Sequence, residues 1–525
     1  MKKVNPQSTT SVNSIVIAGG GTAGWLTAAI IAAENDVINN PNLEVTLVES
    51  PDVHILGVGE GTWPTMRDTL RRIGVDEREF LLECNVSFKQ GTCFNNWRNN
   101  EPDDTYYHPF DLPVGFFEAD VTAWWQQRAS QIPFASLFST QVDLCRQSKA
   151  PKQLKTPPFA AVANYGYHLD ASKFADFLKR HCIEKLGIIH VLEHIEQVET
   201  DQNNFIRGLR GKQQYISGQL FIDCTGFAAK LIGEHYKSDL HRVDDILKNN
   251  TALAAQASYL RSDAPIASTT LSTAQPHGWI WDIGLPTRKG VGYVHSAEHC
   301  DINQAADTLL RYLNNDKTTD SVSSDQLREI RFTPGYRKQS WVKNCVAIGT
   351  SAGFLEPLEA SALVMIELAA RHVANQLPAT MSTIEAASRH YNHTFEAKWQ
   401  RIIDFLKLHY VLSKREDSDY WRDMRDMSTA SSQLYDWLMQ WQQRPVSQYD
   451  FMYSDEIFPM ASYQYILCGM GFASGAVPHL ASHENEKIAH FLKTNERRKK
   501  QQNDGLLSNR AYIDALKISA SQTVR

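Results

Sequence analysis

Hydrophobic positions along the chain first gather in a short unbroken run, Ser14-Ile-Val-Ile-Ala18, which stops at three glycines and gives way to a small-residue stretch from Trp25 to Ala33. An apolar run closed by glycines predicts a buried strand, and the stretch behind it predicts a helix. A second run, Leu43 to Val48, predicts a strand ending at Glu49, after a polar connection from Asn35 to Asn42. The strand-into-glycine-turn pattern returns at Gln219 to Gly226 and at Cys345 to Gly349. The last of these leads through Phe354 into a helix from about Pro357, which must end before Pro378 because proline lacks the amide donor a helix needs. Asp170 to Cys182 carries amphipathic helical periodicity. Three such turns predict one α/β, doubly wound nucleotide-binding module built from separated segments.

Two long stretches between these pieces, about 85 to 165 and about 250 to 330, alternate as strands do and are rich in aromatic residues. They predict a second, substrate-side sheet inserted into a module spanning residues 14–378. From about Ala379 the pattern turns helical, at His390 to Leu412, Ser431 to Gln442 and Glu484 to Gln502, so 379–525 is expected to be a mainly helical C-terminal region. The charge run Glu496-Arg-Arg-Lys-Lys-Gln-Gln502 reads as a solvated helix end.

Composition narrows the function classes. With 42% apolar and 21% charged residues, the 525-residue chain can bury a large core. A net charge of −6 gives no global attraction to phosphate backbones or anionic membranes, so neither nucleic acid nor membrane is expected as a partner. The eight cysteines form no C-x-x-C pair, which predicts reduced thiols, no metal site and a cytoplasmic setting. The N-terminal text has neither a signal-peptide core nor a spanning apolar segment.

Chemistry enters at Gly19-x-Gly21-x-x-Gly24. The first glycine permits a tight turn, the second lets backbone approach a pyrophosphate, and the third lets helix and strand pack closely. The helix start then offers free N–H groups to the phosphates, with Glu49 as the expected acceptor for ribose hydroxyls. The motif alone leaves FAD and NAD open; the later turns at Asp223-x-Thr225-Gly226 and Gly349 favour FAD by fold analogy. In Val86 to Phe94, period-two alternation sets Ser87, Lys89, Gly91 and Cys93 opposite Val86, Phe88 and Phe94. That leaves space beside Lys89, which is either solvent or a cavity. Glu359 is expected in the first turn of the helix after Pro357, where a carboxylate complements the helix dipole.

Taken together, Gly-Gly-Gly-Thr-Ala-Gly-Trp25, Val58-Gly-Glu-Gly-Thr-Trp-Pro64, Asn85-Val-Ser-Phe-Lys89, Trp279-Ile-Trp281-Asp-Ile283 and Phe354-Leu-Glu-Pro-Leu-Glu359 resemble the flavin-dependent tryptophan halogenase family. The resemblance runs from about residue 14 to about 375, and more faintly from Tyr463 to Phe472. It implies a p-hydroxybenzoate hydroxylase-like FAD module with Thr22, Ala23, Gly59, Glu60, Gly349 and Gly353 joining Gly19, Gly21, Gly24 and Glu49 around the cofactor. It implies a halogenase that uses FADH2, oxygen and a halide co-substrate, chloride or bromide, on an electron-rich, indole-type ring. Lys89 matches the family's catalytic lysine, which captures hypohalous acid, and Glu359 the carboxylate facing it. His108 and Phe110 match rings that line the substrate pocket. Trp279 and Trp281 belong to the W-x-W-x-I signature that sets the family apart from ordinary flavin monooxygenases. No second nicotinamide turn is evident, so a separate flavin reductase is the expected partner; a homodimer is allowed. Two departures fall at the site: Glu359-Ala360-Ser361 stands where the tryptophan enzymes read E-S-T, and Ile283-Gly284-Leu285-Pro286 where they read I-P. No counterpart of the polar clamp for a free amino acid is legible. The competing readings are a flavin monooxygenase or reductase sharing the FAD module and, in another class, a catalytically silent flavin-binding regulatory module.

Overall fold

The computed structural model describes residues 11–52, 59–375, 380–453, 455–475 and 482–523. Val58 and Pro378, which the sequence reading used, lie outside them. A six-stranded sheet carries the first half of the architecture. Its order is Trp341–Val342, Cys345–Ala347, Leu220–Asp223, Ser14–Ala18, Glu44–Glu49 and Ile189–Leu192, and every neighbouring pair but the first is parallel. The three predicted glycine turns therefore leave adjacent strands at the same sheet edge, where doubly wound folds bind ligands. Helix Thr22–Glu34 is buried along most of its length because it packs against both Ala171–Lys185 and Ser361–Asn375. Its evenly apolar sequence, rather than a one-sided stripe, suits that sandwiched position.

The second sheet has seven strands, in the order Arg328–Arg331, Thr251–Ser258, Arg288–His295, Gly278–Gly284, Thr270–Gln275, Gly91–Asn95 and Thr105–Pro109. After Pro109 the stretch expected as sheet turns helical, at Val121–Arg128, Phe134–Phe138 and Gln141–Arg146. Asp120 caps the first of these by accepting from the Ala123 N–H, a local signal that competes with the aromatic-rich alternation. A three-stranded sheet, Gly59–Gly61, Gly166–Asp170 and Ser87–Lys89, bridges the two large sheets.

The strand read as continuous from Val86 to Phe94 is broken at Gln90. Ser87–Lys89 pairs with Gly166–Asp170, whereas Gly91–Asn95 pairs with Thr270–Gln275 and Thr105–Pro109. Gly91 makes the change of sheet at φ +143°, where a Cβ would overlap His108 O. Alternation therefore holds only up to Lys89, and Gly91 and Cys93 do not share its face through one ladder. The C-terminal region is helical, with Ile384–Val411, Ser432–Trp441 and Ser482–Gly505 covering the three segments the periodicity predicts. Among the described residues no helix is long and apolar enough to cross a membrane. The eight cysteines are buried and unpaired.

Candidate active site

At the glycine turn each glycine meets a different constraint. Gly19 adopts φ +114°, and a Cβ there would overlap the carbonyl of Cys224; a Cβ at Gly24 would overlap Gly19 O. Gly21, in contrast, has nothing within 4 Å of where a Cβ would stand. It also caps helix Thr22–Glu34 with no side-chain bond to the free N–H groups. Open space in front of unsatisfied amides is what a dinucleotide pyrophosphate requires, so this chain's residues fit FAD here. Gly349, at φ +79°, packs its turn against Ala23, while Asp223 braces the middle turn by accepting from Thr225, Leu231 and Ile232 N–H groups. Gly353 pairs with Tyr336, whose backbone a Cβ would crowd, and so leads the chain away from the turn towards Glu359. Glu49 lies against Gly20 and accepts from Lys179 Nζ and His190 Nε2, both at 2.8 Å. Glu60 is partly buried, and that burial pushes its carboxyl up to about 7.

Lys89 stands on the bridging sheet, 1% exposed, with no hydrogen bond or ion pair among the described residues. Its Nζ lies 5.5 Å from the centre of the Phe110 ring. A Cβ on Gly61 would meet both Lys89 Nζ at 3.1 Å and Ala360 Cβ at 3.6 Å, so the lysine, the glycine of the Gly59–Gly61 strand and the turn carrying Glu359 converge. Burial lowers the Lys89 ammonium to about 8 against the opposing pull of the Glu359 charge. The same lysine charge, added to burial, pushes the buried His168 well below its ordinary value.

Glu359 does not open a helix. The helix begins at Ser361, and Glu359 sits in the turn before it, ahead of Ala360 in the left-handed region at φ +54°. This takes the carboxylate off the helix axis and into the interior. His108 Nδ1 contacts its two oxygens at 3.0 and 3.2 Å, His409 Nε2 stands 3.2 Å from Oε1, and Trp63 Nε1 donates to its backbone carbonyl at 2.8 Å. Burial alone would raise the Glu359 carboxyl, but the two imidazoles hold it at about 2. His409 is in turn bonded through Nδ1 to Tyr106 OH at 2.9 Å. Glu359 is therefore an ionised acid in a buried pocket, within electrostatic reach of Lys89 although 270 positions lie between them.

The remaining candidates divide. Phe110 faces the lysine, and its backbone is fixed by Gln90 O and Gln141 Oε1. His108 is committed to Glu359 rather than free to lie flat on a substrate ring. Trp279 is fully buried and donates to Glu356 at 2.6 Å, while Trp281 lies across Gly292; both join Trp97 in the aromatic core. His409, Trp63 and Tyr106 were not singled out by the sequence. Trp63 lies within a recognisable motif, but His409, one of three histidines on helix Ile384–Val411, offers no signal.

Comparison with known proteins bears on this arrangement. The tryptophan halogenase family profile matches residues 14–486. Tryptophan 6-halogenase ThaL of Streptomyces albogriseolus is 31% identical over 443 residues, 80% of each chain. The crystal structure of a tryptophan halogenase from Shewanella frigidimarina superposes with a TM-score of 0.93 at 44% identity, covering 97% of this chain and 98% of that one. A flavin-dependent halogenase from Xanthomonas campestris gives 0.85 at 28% identity, covering 97% and 99%. The chain belongs to the tryptophan halogenase family and is an enzyme of that kind, a flavin-dependent halogenase.

Proposed function

We propose that the protein is the halogenating half of a two-component system, acting on an indole-type ring held between Lys89 and Glu359. Residues 14–378 serve as a p-hydroxybenzoate hydroxylase-like FAD module with the substrate-side sheet inserted, and 379–525 as the helical region that closes the pocket. Gly19, Gly21 and Gly24 receive the pyrophosphate, with Thr22 and Ala23 at the helix start, Glu49 at the ribose, and Gly59, Glu60, Gly349 and Gly353 around the rest of the cofactor. FAD reduced by a separate flavin reductase supplies, with oxygen, the oxidation of chloride or bromide to hypohalous acid.

The observation that carries this reading is a buried lysine with no ion pair among the described residues, set beside a carboxylate that two histidines keep ionised. Near neutral pH Lys89 is an ammonium. It donates a proton to the hypohalous oxygen, the oxygen–halogen bond breaks, the halogen passes to the ring carbon and water leaves. Glu359 takes the proton that the ring carbon loses and returns it to the Lys89 amine, which closes the proton balance. Phe110 packs against the ring, and His108 holds the carboxylate. The tryptophan pair is a packing element behind Glu356. Because Ala360 lacks a hydroxyl, indole or a larger indole derivative is halogenated better than free tryptophan, and weak polar anchoring favours the electronically preferred C3 position, with bromide above chloride.

The test is mass spectrometry of indoles incubated with protein, FAD, a flavin reductase and either halide. Halogenated product supports the reading; hydroxylated product alone, or clean benzo-ring chlorination of free tryptophan, overturns the mechanism or the substrate assignment respectively. The cofactor site is tested separately by Gly21→Val, whose backbone tolerates a side chain: the folded variant is expected to lose FAD binding by calorimetry, and unchanged affinity would remove the pyrophosphate from this turn.

A further inference from the structure

Outside Phe110 lies a chamber of about 730 Å³ that the chemistry above does not use. Its inner wall includes Phe110 and Asp111 and its outer wall is one face of helix Ser482–Gly505, including Arg498 and Gln501. These two residues fall in the charge run that reads as a solvated helix end; both remain exposed, and both line the mouth of the chamber. The volume is in the upper part of the range that encloses drug-sized ligands and exceeds what an indole ring needs.

The helix wall is tied to the rest of the fold along its length. Asn495 Nδ2 donates to Leu137 O at 2.9 Å and Lys499 Nζ to Ser136 O at 2.7 Å, while Lys149 Nζ bonds the carbonyls of Asn503 and Leu506, each at 2.9 Å. Arg498 and Gln501, three residues apart and lining the chamber together with Asn495, share none of these ties. Arg498 has no hydrogen bond, ion pair or ring contact among the described residues. Asp111 feels its charge, but the Asp111 carboxylate accepts from the Asn164 N–H at 3.1 Å and forms no ion pair with the guanidinium. An exposed arginine on a tethered helix, with no ion pair among the described residues, at the mouth of a chamber is suited to bidentate capture of a carboxylate. These groups also lie beyond residue 486, where the family match ends.

We propose that this chamber is an outer substrate subsite, in which Arg498 binds the carboxylate of an indole-bearing acid longer than free tryptophan, such as the C-terminus of a short peptide, with Gln501 bonding its amide groups. The proposal rests on the halogenase reading for the position of the ring at Phe110 and Lys89, and it supplies the polar anchor that the sequence alone does not reveal.

Two probes decide it: N-acetyl-tryptophyl-glycyl-glycine as the free acid and as its C-terminal amide, titrated calorimetrically into the protein without reductase. The acid is expected to bind at least tenfold more tightly than the amide. Arg498→Gln should erase that difference, while Lys500→Gln, removing a neighbouring exposed cation, should preserve it. Equal binding of acid and amide, or a preference that survives Arg498→Gln, overturns the subsite. Because the readout is binding, it separates from the halogenase reading. Halogenated indole without an acid preference sinks the subsite alone, and an acid preference without halogenation of any indole sinks the reading of the reaction alone.

Discussion

Two lysine–glutamate couples buried among the described residues are built in opposite ways. Lys152 and Glu77 are 1% and 2% exposed and form a closed pair. Lys152 Nζ contacts Glu77 Oε2 at 2.7 Å, and the same carboxylate accepts from Tyr167 OH at 2.8 Å, from the Phe159 N–H at 2.6 Å and from Tyr165 OH. That network pins the segment around Pro157 beneath the pocket. Lys89 and Glu359, 1% and 4% exposed, use the same residue types at the same depth but are kept apart. The acid is satisfied by imidazoles, while among the described residues the lysine has only the face of the Phe110 ring, 5.5 Å away. A buried charge that is neither paired nor hydrogen-bonded works against the fold, and such a charge is retained where it has a reacting partner to meet.

Removing each lysine should break the comparison most sharply. Lys89→Met is expected to abolish halogenated product, a loss of roughly 10²–10³ or more, while FAD binding persists. Stability should move the other way. A lysine lowered to about 8 in the fold from an ordinary 10.5 costs roughly 3 kcal/mol at most at neutral pH, a penalty present in full below pH 8 and relieved as pH rises from 8 to 10.5. Lys89→Met should therefore stabilise by about 1–3 kcal/mol in chemical denaturation, whereas Lys152→Met, which strands a buried carboxylate, should destabilise by about 3–5 kcal/mol. Stability shifts of the same sign in the two variants would erase the distinction.

The acids sharpen it further. Glu359→Gln should lower kcat by about 10²–10⁴ by removing the proton acceptor. Glu77→Gln should show its effect in the denaturation midpoint. A smaller effect is spectroscopic: lysine labelled with ¹³C at Cε should show two resonances titrating near pH 8, from Lys89 and the buried Lys407, of which one is lost in Lys89→Met. Because the Glu359 charge raises the Lys89 midpoint, Glu359→Gln should shift it lower still, and a shift upward would mean that the carboxylate does not face the lysine.

How much of this was legible in the sequence follows from where the information resides. The glycine turns announce themselves because backbone constraints are local: Gly19, Gly21 and Gly24 meet their separate requirements within six residues. Strand and helix placement followed apolar periodicity for the same reason. The lysine's surroundings were misjudged beyond Gln90, since a change of sheet at Gly91 leaves no mark in a pattern of alternating polarity. Glu359 was placed on a helix it precedes, because nothing local foretells a left-handed alanine. His409 reaches Glu359 from helix Ile384–Val411 and Arg498 reaches the chamber from helix Ser482–Gly505, both through tertiary packing alone. In those positions a residue that lines a site has the same sequence appearance as any buried histidine or surface arginine.

The smallest predicted effect concerns the turn that keeps the two charges apart. Ala360 at φ +54° bears a left-handed cost of about 1–2 kcal/mol, which glycine would not. Ala360→Gly removes that cost but widens the unfolded ensemble by about 0.4–1 kcal/mol, so the net stabilisation should be about 1 kcal/mol or less. If the strained turn serves only to connect Pro357 to the helix at Ser361, kcat should follow stability and stay near the parent value. We expect instead that a glycine, freed to leave the left-handed region, lets Glu359 drift from His108 and Lys89, and that kcat falls a few-fold while the denaturation midpoint rises or holds. The measurement is paired kinetics and denaturation on one preparation. An unchanged kcat would show that the histidines alone position the carboxylate, and would move the origin of the separation from the turn's backbone to the His108 and His409 side chains.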